Sequence, residues 1–287
     1  MSTQILVIGG KGKTGRLVTR ELASRGVKAK ITTRSPSRDD DVAFDWQDPR
    51  TADAAFDGVD AVYIVAPTNN SDHGTIVPPV LEVARKRGVR RFVLLSASSL
   101  EAGGPMMGQI HSYLQKEAPE WTVLRPTWFM QNFSEQQHLE TIRNENAIYS
   151  ATGGGRVGFI DAADIAKAAA SALLAETSWN RDFILTGPEA LSYADFAKKI
   201  SDVIGRTIKH VNLTTAELAE RYARAGLDEA YASILAKMDE RISEGSEDRL
   251  SDGVFALTGR SPTAAADFAK AHKDAWAHPA HDPQLQP

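Results

Sequence analysis

Apolar positions in the first half of the chain fall in short blocks separated by amphipathic stretches. Ile5 to Ile8 is unbroken, as strands buried on both faces of a parallel sheet are. Ala29 to Thr33, Val42 to Trp46, Ala61 to Val65, Arg91 to Ser96 and Trp121 to Arg125 read as further strands. Between them the spacing predicts helices over Arg16 to Arg25, Thr51 to Phe56, Ile76 to Arg87 and Met107 to Glu117, with Gly26 and Gly88 closing two of them. This alternation predicts an α/β fold built on a Rossmann-type, doubly wound parallel sheet. The second half changes character. After Gly153-Gly154-Gly155, Val157 to Ile160 reads as a strand, Ala162 to Leu174 as a helix and Phe183 to Thr186 as a strand. Beyond Gly187-Pro188 come a helix to Ile204 and an Ala- and Glu-rich helical run from Thr214 to Glu244. The expected organisation is a sheet domain over 1–155, with 156–186 returning to it, and a smaller, mostly helical region over 187–287.

Glycines at three-residue spacing, Gly9, Gly12 and Gly15, follow the first strand and open the first helix. In that context the first glycine turns the chain off the strand, the second lets backbone approach a diphosphate and the third lets helix pack on strand. The helix N-terminus then offers N–H groups and a partial positive charge to phosphates. Gly12-Lys13-Thr14 resembles the end of a nucleoside-triphosphate loop, but that pattern needs glycine at position 7, where Val7 stands. The reading is therefore a dinucleotide loop with Gly9, Gly12, Lys13, Thr14 and Gly15 as cofactor residues.

The end of the second strand bears on which nucleotide binds. Sites for NAD place an acid about 20 residues past the glycines, on the ribose 2′-hydroxyl. Here Thr33-Arg34 stands nineteen positions after Gly15, and no acid does. A guanidinium suits a 2′-phosphate, so NADPH (NADP) is the expected cofactor, with Lys13 as a second positive charge. Ligands in such sheets lie at the carboxyl ends of the strands, which adds Ala66, Pro67, Thr68 and Ser96 to the cofactor residues.

The 287 residues carry a net charge of −4, which gives no reason to expect a nucleic acid or a membrane surface as partner. There is no cysteine, hence no disulfide or thiolate chemistry. No apolar run approaches membrane-spanning length and no leader precedes the first strand, so a cytoplasmic location is expected. His278 and His281 near the end are read as part of a polar tail, and no metal is expected.

The residues Gly-x-x-Gly-x-x-Gly at 9–15, Thr33-Arg34, Leu-Leu-Ser-Ala-Ser at 94–98 and Leu-Arg-Pro-Thr-Trp-Phe-Met-Gln-Asn-Phe at 124–133 resemble the NmrA-like, atypical short-chain dehydrogenase/reductase family. His111-Ser112-Tyr113-Leu114 and Leu185-Thr186-Gly187-Pro188-Glu189 resemble bacterial relatives of the ergot alkaloid oxidoreductases, and the likeness extends to Leu257-Thr258-Gly259-Arg260. The resemblance implies a Rossmann domain, NADP(H), and either hydride transfer to an organic acceptor or redox sensing through a protein partner without catalysis. Related reductases use Tyr-x-x-x-Lys to donate a proton. Aligning on Leu114 and Leu124-Arg125-Pro126 puts Gly103 and Met107 in those places, and Tyr113 has Glu117 four residues on.

Without that acid, the remaining candidates are Ser98 and His111, the latter as an acid near neutral pH, one helical turn past Met107. Met107, Trp128, Phe129 and Phe133 are the candidate substrate residues, an apolar and aromatic wall suited to a flat acceptor. The expected partner is a small organic acceptor: an imine or iminium ion, a quinone or an enone. Self-association into a homo-oligomer stays open.

Overall fold

A computed structural model describes residues 3–67 and 70–277; Thr68, His278 and His281, singled out above, lie outside the described residues. The elements run β1 (Ile5–Val7), α1 (Lys13–Ser24), β2 (Lys30–Thr33), β3 (Asp41–Ala43), α2 (Arg50–Ala55), β4 (Ala61–Val65), α3 (His73–Lys86), β5 (Arg91–Leu95), α4 (Met107–Glu117) and β6 (Glu120–Pro126). There follow α5 (Leu139–Glu145), β7 (Ala147–Ser150), β8 (Arg156–Val157), α6 (Ala162–Leu174), β9 (Arg181–Leu185), β10 (Leu191–Ser192) and α7 (Tyr193–Ile204). Last come β11 (Lys209–Asn212), α8 (Thr215–Arg224), α9 (Glu229–Ser243), α10 (Gly253–Thr258) and α11 (Ala265–Ala271).

The chain divides into two compact units. The first comprises residues 1–127, 162–185 and 251–261. Its seven-stranded sheet has the order β3-β2-β1-β4-β5-β6-β9, and every pairing is parallel. The strands are buried on both faces, which is why they read as continuous apolar runs. Strand order reverses between β1 and β4, so the crevice beyond their carboxyl ends is the natural ligand position of this architecture. One face is covered by α2, α3 and α4, whose Ala52, Leu81, Ile110 and Leu114 pack with Leu6, Val62, Phe92 and Val123. On the other face α6 packs on α1 and on β4, β5 and β6, its run of alanines allowing close approach. Helix α3 begins at His73, three residues earlier than its apolar spacing suggests, because the Asp72 carboxylate accepts the Thr75 N–H. Pro78 and Pro79 then fall inside the helix.

The second unit comprises residues 128–161, 186–250 and 262–287. The sheet domain expected over 1–155 thus ends at Thr127. The apolar run beyond β6 does not continue the sheet. Phe133 stacks on Phe196 with centroids 4.1 Å apart and joins Phe159, Tyr193, Phe268 and Trp276 in a separate aromatic core. The returning stretch is α6 and β9, with 251–261 added. The unit is less purely helical than expected, since β7 pairs with β11 and β8 with β10. The helical run from Thr214 is broken at Gly226, whose φ of +95° closes α8 before Asp228 caps α9. At its start, Thr214 and Glu217 form a reciprocal capping box.

Candidate functional site

The loop between β1 and α1 is built around its glycines. Gly9 has a φ of +74°, in the left-handed region, and its carbonyl accepts the Gly12 N–H at 2.9 Å. A Cβ on Gly15 would stand 2.2 Å from the Gly9 carbonyl oxygen, so helix and strand meet only because no side chain is there. Gly10, which the spacing argument passed over, is equally constrained: its Cβ would lie 2.2 Å from Ile31 Cγ2 on β2. Gly12 is looser, with one contact at 3.2 Å. The Thr32 hydroxyl accepts the Gly9 N–H at 3.2 Å and ties the loop to β2. No side chain caps α1 and no acid stands in its first turn, so the positive end of the helix is uncompensated. That arrangement suits an anion. Thr14 and Gly15 are buried in this first turn, and Lys13 is its first residue.

At the end of β2, the Thr33 hydroxyl accepts the Ser35 N–H and turns the chain outward. Arg34 is exposed beyond that turn and makes no ion pair with any described residue. The loop that follows is joined to the glycine loop through Lys11. Lys11 Nζ lies 3.2 Å from the Asp41 carboxylate, which also accepts the Ser37 N–H at 2.9 Å. Sequence reasoning singled out neither Lys11 nor Asp41, because a loop closed between two strands has no periodicity to mark its partners.

Ala66 and Pro67 are buried directly after β4. His73 anchors this corner: its Nε2 lies 3.0 Å from the Pro67 carbonyl and 2.8 Å from that of Asn70. After β5, the Ser96 N–H donates to the Leu124 carbonyl at 2.8 Å and the Ser98 N–H to that of Pro126 at 2.9 Å. The Ser96 hydroxyl is buried and has no hydrogen-bond partner among the described residues. Arg125, 4% exposed, donates to the Ser98 carbonyl at 2.9 Å while paired with Asp182 at 2.7 Å and with Glu101. This buried guanidinium fastens the loop after β5 to β6 and β9. It was visible in the sequence only as part of the Leu-Arg-Pro motif.

The proton-donor candidates are placed differently from expectation. His111 is 2% exposed, its ring 5.7 Å from that of Trp121, and both ring nitrogens are buried without a partner among the described residues. Burial pushes its pKa down, which disfavours the acid role expected of it, and the ring is packed. Tyr113 points toward α3, its hydroxyl 3.4 Å from Glu82, and burial raises its pKa. Gly103 is exposed with a φ of +80°, and Met107 packs partly buried against the first-unit core. In the second unit, Phe133 is 0% exposed, stacked between Phe196 and His138, and its carbonyl accepts the Trp276 indole N–H at 2.6 Å. It is a core pillar, not a wall residue. Trp128 and Phe129 are partly buried, and Phe129 bridges Ile160 in parallel register. Among the described residues no group of three or more His, Asp or Glu is arranged to hold a metal ion, and no helix is long and apolar enough to cross a membrane.

A family model described as NAD(P)H-binding matches residues 9–176, more than half of the chain. The chain is 40% identical to the oxidoreductase YesF of Bacillus subtilis (strain 168), over 95% of this chain and 96% of that protein. It is 39% identical to an agroclavine dehydrogenase of Claviceps fusiformis, over 95% and 98%. Among solved structures, an NADPH-dependent quinone oxidoreductase from Escherichia coli, complexed with NADPH, superposes with a TM-score of 0.81 at 20% identity. It covers 93% of this chain and 99% of that one, a likeness of fold. With the glycine loop at the head of a parallel sheet and relatives of this kind along its whole length, the protein is an NAD(P)H-dependent oxidoreductase. It belongs to the NAD(P)H-binding proteins of the NmrA-like, atypical short-chain dehydrogenase/reductase family.

Proposed function

We propose that this chain uses NADPH to reduce a flat, activated electrophile: an iminium ion or imine, a quinone or an enone. The observation that carries the reading is that the places of the Tyr-x-x-x-Lys pair hold Gly103 and Met107. Gly103 and Met107 have no ionisable group, Tyr113 is turned to α3, and His111 is buried with its pKa pushed down. Reducing an ordinary ketone creates an alkoxide that needs a proton or a strong oxyanion partner, and a positioned acid is worth about 10²–10⁴-fold. An iminium ion becomes neutral on accepting hydride, and a quinone spreads its negative charge over the ring. Neither depends on that acid to the same degree. The nicotinamide supplies the hydride. The protein's share is to hold the diphosphate at the α1 N-terminus, to offer Ser96 and Ser98 near the end of β5, and to orient the acceptor. Trp128 and Phe129, in the second unit, carry partly exposed aromatic surface.

The test is NADPH consumption across a panel of iminium ions, quinones, enones and aliphatic ketones. Saturable turnover is expected with the activated acceptors, and rates about 10²–10⁴-fold lower with the ketones. Efficient reduction of an aliphatic ketone that is lost in Tyr113→Phe would restore a tyrosine acid and sink the reading. Tight nucleotide binding with no turnover of any acceptor would point instead to a sensor.

The choice of NADPH rests on Arg34, exposed and unpaired among the described residues at the end of β2. Arg34→Ala is expected to weaken NADPH binding roughly ten- to a hundredfold, the worth of a hydrogen bond to a charged group. NADH binding should change little. Titration of both nucleotides decides it, since equal losses would mean that Arg34 supports the loop and does not read the 2′-phosphate.

A further inference from the structure

Asp41 presents an apparent contradiction. An anionic 2′-phosphate is expected at the end of β2, yet a carboxylate stands at the start of the neighbouring strand, where Asp41 pairs in register with Ile31. Its geometry resolves the conflict. The side chain has no exposed surface, so it is turned away from solvent and from any ligand there. Its Oδ2 accepts the Ser37 N–H at 2.9 Å and the Ser37 hydroxyl at 3.2 Å, and pairs with Lys11 Nζ at 3.2 Å. Its Oδ1 lies 3.7 Å from Arg38 Nε. The main chain closes the same loop, since the Asp41 N–H donates to the Arg38 carbonyl at 3.0 Å and the Ile31 N–H to that of Asp40 at 2.9 Å.

One inward carboxylate therefore gathers a lysine from the glycine loop and an arginine from the β2–β3 loop, beside Arg34 on that same loop. Asp39 and Asp40 stand on the same loop, Asp40 paired with Lys28 at 3.2 Å, so what Asp41 supplies is the placing of Lys11 and Arg38 and not an excess of positive charge. Lys11 and Arg38 are half exposed, free to turn their outer faces to an anion while their inner faces stay on Asp41. The carboxylate remains charged at any working pH, because the Ser37 N–H above all, with Lys11, pulls its pKa down to about 2. In NAD-type sites an acid at this end of the sheet binds the ribose itself. Here the acid sits one strand over and binds the cations.

We propose that Asp41 is a positioning residue for cofactor selectivity: by clamping Ser37, Arg38 and Lys11 together, it holds the two cations that, with Arg34, distinguish a 2′-phosphate from a 2′-hydroxyl. The inference rests on the NADPH reading above. Its test compares 2′,5′-ADP with 5′-AMP, and NADPH with NADH, by titration against the wild type, Asp41→Ala and Asp41→Asn. The wild type should favour 2′,5′-ADP. Asp41→Ala should lower that preference about tenfold, the effect of one weakened charge-assisted contact, with 5′-AMP affinity nearly unchanged. Asp41→Asn keeps an acceptor for the Ser37 N–H but loses the ion pairs, so it should fall between the two. It also preserves the test if the alanine variant folds poorly. A preference that is unchanged or increased in both variants would overturn the proposal, showing that the carboxylate only repels the phosphate. Parallel loss of both ligands would overturn it as a purely structural role. A wild type that does not distinguish 2′,5′-ADP from 5′-AMP would instead refute the NADPH reading.

Discussion

Gly12→Val is expected to abolish NAD(P)H binding while leaving the protein folded. The glycine loop separates these two effects. A Cβ at Gly12 meets only the Gly9 carbonyl oxygen, at 3.2 Å, a contact that a shift of a few tenths of an ångström relieves. At Gly15 the same atom would lie 2.2 Å from that oxygen and 2.7 Å from Gly10 Cα, so substitution there breaks the packing of α1 on β1. Valine at position 12 places its two branches at the N-terminus of α1, where the diphosphate must approach backbone. Losing two charge-assisted hydrogen bonds of about 1.5–3 kcal/mol each corresponds to roughly 10²–10⁴-fold weaker binding. Circular dichroism should match the wild type while nucleotide titration fails. A folded variant with wild-type affinity would move the dinucleotide away from this loop.

Above pH 4 the protein should lose stability through Asp239, and Asp239→Asn should relieve that loss. Asp239, on α9, is 1% exposed. Its Oδ2 accepts the Ala151 N–H at 3.1 Å, and its Oδ1 has no partner among the described residues. Burial raises its pKa from 3.8 to about 7, against the opposing pull of the Ala151 N–H. The buried Tyr193 and the partly buried Tyr222, whose own pKa values burial pushes up, lie close enough to feel its charge. Below about pH 4 both folded and unfolded chains hold this proton. Between about 4 and 7 only the folded chain does, so stability falls as pH rises. Above 7 both are ionised and the loss is complete, at about 4 kcal/mol. Asparagine keeps an acceptor for Ala151 without the titration. Denaturant unfolding from pH 4 to 8 should therefore show the variant gaining on the wild type as pH rises. A difference independent of pH would mean that Asp239 is ionised in the fold and has a counter-ion.

The alternation of strands and helices, the glycine loop and the unusual arginine after β2 were all legible in the sequence. Each is local: burial on both faces makes strands read as apolar runs, and a diphosphate needs backbone without side chains at fixed intervals. The helices α4 and α6 were readable to the residue, because three-to-four spacing of buried positions and the flanking breakers bound them within a single stretch. The missing Tyr-x-x-x-Lys was likewise a matter of which residues stand where.

What only the tertiary structure decided depends on contacts between residues far apart in sequence. Trp128 to Phe133 looks like a wall beside a strand end, yet Phe133 meets Phe196 and Trp276 and becomes core. His111 has the composition of an acid and the surroundings of a packed ring. Asp41 became visible as the holder of Lys11, thirty residues away, only when the fold brought β3 beside β2. Asp239 became an acid near neutral pH only when the fold buried it, against the pull of the Ala151 amide, 88 residues before it in the chain. Propensity and spacing act over a turn or a strand, so they set the elements and the loop chemistry. Burial and charge pairing act across the folded interior, and they alone decide which side chains keep a proton, which stack, and which remain free for a ligand.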